Sequence, residues 1–348
     1  MKAPNEKIID YLKSELFKTY FPGDKIPSET QLSQMFGVSR LTVRKAIQKL
    51  VNQDILVSVQ GLGTFITEYA GSPKNNQKKV LAIFPSSYTT SRNWRIAIGI
   101  FSTIDKFNIT PVMINVVLED EKTYKKQIKT ALNQDFSGLI ILPYPEIIQL
   151  PEIQNLIEKN FPIIFVDRYL NGYKIPSVVS DSFKCACQMG KHLKKYHNVE
   201  KPIFVSEEEL VIGSVKDRYE GFKKGFNSQI DILITPEHSE VDVLAEKIKK
   251  GKYDCVAFCH DNLALRGLTV FQREGIKIPE DLKVVGFDDK SASRYSSPTI
   301  TTAGQNFQEI GETAALMMAK LLRKEKIPQI STVPMEIIVR ESCGCNGK

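Results

Sequence analysis

FGVSRLTVRKAIQKL, residues 36–50, decides how the first part of this chain folds. Gly37 breaks whatever helix precedes it, Ser39 can cap a new one, and no further breaker appears before Gln53. With Arg40 at zero and 100° per residue, Val43, Ala46, Ile47 and Leu50 gather on one face. Leu41, Arg44, Lys45 and Gln48 fill the opposite face, with Arg40 at its border. One reading is a core-packed helix whose outer face is solvated and basic. The other is a helix that enters a DNA major groove. There an arginine bonds a guanine bidentately, an apolar side chain meets a thymine methyl, and the first backbone amides hold a phosphate.

The neighbouring sequence favours the second reading. Upstream, residues 5–19 set Ile8, Ile9, Leu12 and Leu16 on one helical face. A turn-rich loop, FPGDKIPSE, then leads to Ser28 and Gln31, the two ends of a capping box for a short helix ending near Phe36. Downstream, ILVSV and TFIT read as short strands on either side of the glycine turn QGLG. Helix, helix, turn, helix and glycine-tipped hairpin make a winged helix-turn-helix, and glycines at the wing tip let backbone approach DNA closely. Charge agrees: residues 1–78 carry 11 Lys/Arg against 7 Asp/Glu, whereas the other 270 carry 36 against 33. A net excess concentrated in this fifth of the chain points to a polyanionic partner.

Residues 68–78, EYAGSPKNNQK, are small and polar and read as a linker. From Val80 onward the pattern changes to short apolar runs: VLAIF, PVMINVV, GLIIL, PIIFVD, PIFVS, DILIT, CVAFC and LKVVGFD. Helical segments separate most of them. Such alternation predicts parallel sheets covered on both faces, and its length predicts two α/β subdomains. The expected domains are therefore residues 1–67 for DNA binding, 68–78 as linker, and 79–348 as an effector and dimerisation domain. Within the last, subdomain 1 is expected over about 79–176 and 305–328, and subdomain 2 over about 177–304 and 329–348. The crossovers are expected near Ser177, Gly304 and Pro328.

Several function classes are disfavoured. No run approaches the roughly 20 apolar residues of a membrane helix, and the N-terminus lacks a signal-peptide pattern, so no membrane partner and a cytoplasmic location are expected. The six cysteines fall as 185/187, 255/259 and 343/345, without the C-x-x-C spacing of common zinc sites. No bound metal or cofactor is expected, and Cys343 and Cys345 are the one pair placed for metal or redox chemistry. No nucleophile elbow, P-loop or metalloprotease motif occurs, so no catalytic residue is assigned.

Charged residues end three of the apolar strands: Asp167 and Arg168 after PIIFV, His260 and Asp261 after CVAFC, Asp288 and Asp289 in VVGFDD. Strand carboxyl ends face the crevice where open α/β sheets bind ligands. Carboxylates together with arginines suit a polyhydroxylated ligand, since each hydroxyl both donates and accepts. The alternative for any one of them is a helix-capping role.

The residues quoted so far carry two resemblances. KIPSETQLSQMFGVSRLTVRKAIQKLVNQDILVSVQGLGTFI, within residues 5–67, resembles the DNA-binding domain of GntR-family regulators. The resemblance implies base reading by Arg40 and Arg44, with Leu41 on the same exposed face. It implies backbone contacts by or near Ser28, Thr42 and Lys45, and Gly61 in the minor groove beside Thr64 on the wing. Glu29 is expected to orient an arginine; Thr42 has a second reading as a cap, Lys45 as a solvated cation. Residues 79 to 343 resemble the effector domain of LacI/GalR-type repressors, through GLIIL, FVDR, DRYEGFKKGF, GFDD, SSPTITTAGQNFQEIG and VRESC. That implies a periplasmic-binding-protein-like fold with a monosaccharide held by Asp167, Arg168, Arg218, His260, Asp288 and Gln305. His260 stands where the family often has Asn. SSYTTSRNWRIAIGI lacks the family's Asn-Pro-Phe-Phe, which leaves Arg92, Asn93 and Trp94 nearby and Ser86 and Tyr88 as further candidates. The fold class expected is thus α/β, an N-terminal winged helix-turn-helix plus a two-subdomain periplasmic-binding-protein-like domain, in the arrangement of arabinose repressors. The implied function is sugar-responsive transcriptional repression, by a homodimer on a palindromic double-stranded operator. Activation by sugar, a ligand-blind DNA-binding protein and a carboxylate-based glycosidase are the alternatives.

Overall fold

The structure is a computed structural model. It describes residues 4–12, 14, 23–52, 55–59, 63–67, 78–86, 91–118, 120–235 and 240–345. Leu16, Gln53, the wing-tip Gly61, residues 68–77 of the expected linker and Tyr88 lie outside these. The chain divides into two compact units, Met1–Gln77 and Lys78–Lys348.

The first unit begins with α1 (Pro4–Tyr11), followed by α2 (Glu29–Phe36) and α3 (Arg40–Val51). Ser28 closes the capping box on α2, its Oγ accepting from the Gln31 amide while Gln31 Oε1 accepts from the Ser28 amide. Gly37 ends that helix at φ 63°, a left-handed conformation that costs a residue without Cβ little. Ser39 caps α3 two residues later. Val43, Ala46, Ile47 and Leu50 face inward and close a core with Ile8, Leu12 and Leu32. The hairpin of β1 (Leu56–Val59) and β2 (Gly63–Ile66) pairs Leu56 with Ile66 and adds both to that core.

In the second unit the apolar runs become strands of two six-stranded sheets. The first contains β3 (Lys78–Ser86), β4 (Ile109–Val117), β5 (Gly138–Ile141), β6 (Ile163–Val166), β7 (Ser177–Ser180) and β13 (Ile330–Val333), in the order β13-β7-β6-β5-β3-β4. The second contains β8 (Pro202–Ser206), β9 (Asp231–Ile234), β10 (Cys255–Phe258), β11 (Lys283–Asp288), β12 (Thr301–Gln305) and β14 (Met335–Ile338), in the order β14-β12-β11-β10-β8-β9. All pairings are parallel except that of β14 with β12. Every residue of β5, β6, β8 and β10 is buried, as expected for strands covered on both faces. On the first sheet α4 (Ser91–Ile104) packs against α13 (Phe307–Leu322), so closely that a Cβ on Gly99 or Gly311 would lie 2.0 Å from a carbonyl oxygen of the other helix. On the second, α8 (Ser182–His197) packs against α9 (Gly213–Phe226). Among the described residues no helix is long and apolar enough to cross a membrane.

The subdomain boundaries differ from expectation. Residues 177–180 and 330–333, assigned above to subdomain 2, are β7 and β13 of the first sheet, paired from Ser177↔Ile330 to Ser180↔Val333. The chain therefore crosses at Asp181, Asn306 and Pro334, rather than near Ser177, Gly304 and Pro328. SVVS and ISTV are four residues long and half polar, too short for an apolar run to announce them as strands.

Candidate DNA interface and ligand cleft

On α3 the outward face keeps its basic groups in solvent. Arg40, Leu41 and Lys45 are exposed, and Leu41 retains 62% of its surface although it is apolar. The Arg44 side chain is 65% exposed and forked onto Glu29 at the start of α2, with Nε 3.0 Å from Oε1 and Nη2 2.8 Å from Oε2. Hydrogen bonding from Arg44 holds the Glu29 carboxyl below its ordinary range. So α2 holds the central arginine of α3 in one orientation. Three predicted contacts have local partners instead. Ser28 caps α2. Thr42 shares a 2.9 Å hydrogen bond with the Ser39 hydroxyl, the capping role considered above. Thr64 bonds Ser58 across the hairpin at 3.1 Å, and its carbonyl accepts from the Ile26 amide, which ties the wing to the loop before α2.

In the second unit, five of the predicted ligand residues converge at the carboxyl ends of strands from both sheets. Asp167, just past β6, is buried at φ 68° and accepts from Arg92 Nη1 at 3.2 Å. Arg168 lies 4.9 Å over the Tyr144 ring and reaches across to Glu208, past β8, at 2.8 Å. Arg218 on α9 donates to the Cys259 carbonyl and, at 3.3 Å, to Asp288 at the end of β11. Gln305 at the end of β12 donates to the same Asp288 oxygen and accepts from Ser180 Oγ of the first sheet at 2.6 Å. Arg168–Glu208 and Ser180–Gln305 thus link the two subdomains.

The electrostatics are those of a strongly coupled charged cluster. Burial pushes the Asp288 carboxyl up, but Arg218, Lys290, His260 and Arg92 outweigh it and hold the group below its ordinary range. Burial likewise opposes ionisation of Glu208, and the Arg168 guanidinium overrides it. Among the described residues the buried Nε–H groups of Arg168 and Arg218 have no hydrogen-bond acceptor, and such donors are expensive to leave unmade.

Other predicted groups take different positions. His260 is the N-cap of α11 (Asp261–Arg273): its Nδ1 accepts from the Leu263 amide and its Nε2 meets Glu207. The capping reading of this residue is thus the one its hydrogen bonds carry. Asp261 is wholly buried beneath the cluster and accepts from Thr302, Ser293 and the Lys290 amide. Burial, with Asp288 close by, raises its pKa to about 6. Asp289 is occupied by Arg294 and Arg340. Ser86 ends β3. Sequence reading missed Tyr144, Ser180, Glu207 and Glu208. Tyr144, Glu207 and Glu208 follow strands that the apolar runs GLIIL and PIFVS announce, so the strand-end rule would have found them, whereas Ser180 ends SVVS, which no apolar run announces. A concavity of about 400 Å³ beside the crossovers is lined by Arg95, Asp288, Gln305, Asn306 and Pro334. It touches the cluster at Asp288 and Gln305 only.

Comparison with known proteins agrees with both units. Residues 4–66 match the family model for bacterial regulatory proteins of the gntR family, and residues 216–343 that for a periplasmic binding protein-like domain. The arabinose metabolism transcriptional repressor of Halalkalibacterium halodurans is 28% identical over 343 residues, covering 90% of this chain and 88% of the relative. That of Geobacillus stearothermophilus is 25% identical over 360 residues, covering 97% and 95%. A LacI family transcriptional regulator from Enterococcus faecalis, solved with bound ribose, superposes with a TM-score of 0.63 at 23% identity, covering 76% of this chain and 98% of that one. Winged helix-turn-helix, paired sheets and nearly end-to-end similarity agree: the chain joins a DNA-binding domain of the gntR family to a periplasmic-binding-protein-like domain, and is similar over most of its length to arabinose metabolism transcriptional repressors.

Proposed function

We propose that this protein represses transcription as a homodimer on a palindromic operator and releases it when a monosaccharide closes the effector cleft. The observation that carries this is the buried cluster of Asp167, Arg168, Arg218, Asp288 and Gln305, contributed by both subdomains. Alternating buried acceptors and donors, with two guanidinium N–H groups still lacking an acceptor among the described residues, match the hydroxyls of a sugar. The arabinose repressors that the chain resembles, and the ribose held by a protein of the same fold, point to a pentose-sized ligand. A glycosidase would need one carboxyl held protonated to act as acid. In this cluster Asp288 and Glu208 are both held below the ordinary carboxylate range, and Asp261, whose carboxyl is raised, is wholly buried and engaged by Thr302, Ser293 and the Lys290 amide.

A dimer doubles the base contacts of a single winged domain and so reaches the selectivity that a rare genomic site requires. Trp94 and Ile98, one turn apart and exposed on α4, with Leu316 exposed on α13, offer apolar surface for pairing. Cleft closure, hinged at Asp181, Asn306 and Pro334, would turn one subdomain against its dimer mate and change the spacing of the reading heads. Sugar can act only through different affinities for two states, and coupling of about 1–3 kcal/mol is typical. By linkage, operator DNA weakens sugar affinity by the same factor. A monosaccharide panel read by thermal shift identifies the ligand, and calorimetry with and without operator tests the coupling. Equal affinities remove the allosteric reading, and tighter binding on DNA makes the sugar a co-repressor.

A further inference from the structure

The second unit holds another cluster, at the opposite end of its sheet from the cleft. His192 and His197 lie in the last turns of α8, and Cys343 and Cys345 follow β14, about 150 residues later in the chain. The four donor atoms all lie within 4.8 Å of one another. His192 Nε2 and His197 Nε2 are 3.2 Å apart, and Cys345 Sγ is 3.2 Å from His197 Nε2 and 3.7 Å from His192 Nε2. Cys343 Sγ is 3.8 Å from His192 Nε2. Ligands placed tetrahedrally at about 2.0–2.3 Å from a zinc ion stand roughly 3.3–3.8 Å apart. Four of the six separations, 3.2–3.8 Å, lie at or near that spacing, and all six are within 4.8 Å, for two imidazoles and two thiols.

The chain around the cluster is built to hold it. Residues 341–343 form a 3-10 turn, and Gly344 reverses direction at φ 95° between the two cysteines. Ser342 fixes this turn to the sheet, donating to the Val284 carbonyl and accepting from the Thr301 amide. Cys343 is fully buried and the other three are half-buried, which keeps bulk water from most of the donor set. Val284 lies near the start of β11 and Asp288 ends it, so the two clusters are roughly 13 Å apart along the strand.

We propose that His192, His197, Cys343 and Cys345 bind one structural zinc ion that fastens the C-terminal segment to α8. Two thiolates with two imidazoles form a closed tetrahedral set, borderline-soft as zinc prefers, with all four positions filled by protein. Binding converts both thiols to thiolates and releases their protons to solvent. The clamp holds the segment whose Arg340 pairs with Asp289, the neighbour of Asp288. Its role is therefore stability rather than catalysis.

The test uses the untagged full-length protein, purified in a non-chelating reductant and analysed for metal by mass spectrometry. Wild type should carry one zinc per chain. After chelation, cobalt(II) should restore a tetrahedral d–d spectrum with sulfur-to-metal charge transfer. Chelator should also lower the melting temperature of wild type. Cys345→Ser and His197→Gln, both at half-buried positions, should each reduce zinc retention roughly tenfold or more, with unchanged circular dichroism, and should melt alike with and without chelator. Zinc-free wild type after growth in zinc, a cobalt spectrum without thiolate charge transfer, or zinc retention unchanged in either variant would overturn the proposal.

Discussion

The two proposed functional surfaces present their charges in opposite ways. On α3 the arginines and Lys45 stand in solvent, and among the described residues only Arg44 is restrained, by one ion pair with Glu29. In the cleft, Asp167, Arg168, Arg218, Asp288 and Gln305 are all buried and already partnered, Asp167 by Arg92, Arg168 by Glu208, and Arg218 and Gln305 by Asp288. Exposed charges keep their hydration, interact weakly with one another, and act on a partner nearly independently. Buried charges have lost water and depend on each other, so no member can be removed alone. The reading head should therefore tolerate single substitutions as local losses of DNA affinity, whereas the cleft should fail as a unit.

The largest effect tests that difference where it is widest. Asp288→Ala removes the shared acceptor of Arg218 and Gln305 and leaves Lys290 nearby without its partner. Removing one partner of a buried pair costs about 3–5 kcal/mol. Chemical denaturation should show a loss of that order, and calorimetry a loss of sugar affinity. If sugar affinity is unchanged in both Asp288→Ala and Arg218→Ala, the ligand binds elsewhere.

Next in size is Arg44→Ala. It should reduce the preference for operator over random DNA on the order of ten- to a hundredfold, because a bidentate guanine contact is specific. The melting temperature should hardly move, since the Glu29 pair is solvated. Equal losses on both DNAs would show that Arg44 contacts backbone, and a large loss of stability would erase the contrast with Asp288.

These two residues also mark how far the sequence could be read. Arg44 and its neighbours were legible because a helical wheel needs only local periodicity, and the Glu29 pair followed from the resemblance. Eight apolar runs announced eight strands. The strands SVVS, TTAGQ, ISTV and MEII were not legible: they are short, partly polar, and gain burial only from neighbours distant in sequence. Their omission displaced the crossovers. The Cys343 and Cys345 pair drew attention by its place at the tail, outside the apolar and helical runs, but the histidines that meet it come from a helix far away in the chain, and only the fold joins them.

A third prediction concerns pH. The Asp261 carboxyl titrates at about 6 in the native state because of burial and the charge of Asp288, against 3.8 for an unperturbed group. Between about pH 4 and 6 the native chain binds a proton that the unfolded chain has released. Stability from this group therefore falls as pH rises through that window and levels off above it. Asp261→Asn resembles the protonated acid, keeping one oxygen to accept from Ser293 and the Lys290 amide and turning the other atom into a donor toward Thr302, and should flatten the slope in denaturation curves at several pH values. An unchanged slope would assign the pH dependence to other groups. No exposed carboxylate on α2 should behave this way; Glu29 is displaced downward instead.

The smallest effect belongs to Lys45. It is exposed on the α3 face, beside Arg44 in sequence, with a flexible ammonium in place of a planar fork. An ammonium at the groove edge neutralises a phosphate and reads no base. Lys45→Ala should therefore weaken operator and random DNA by the same factor, a few-fold at moderate salt. Each lost phosphate contact also removes the release of about 0.9 counterion, so the plot of log affinity against log salt should become shallower by roughly one unit. Arg44→Ala should change specificity more than slope, and Lys45→Ala should change slope alone. Binding isotherms at four or five salt concentrations, on operator and on scrambled duplex, separate the two. A slope that stays the same in Lys45→Ala would leave that side chain as a solvated cation on the outer face of α3, and would restrict the DNA contacts of this helix to its arginines, Leu41 and the amides of its first turn.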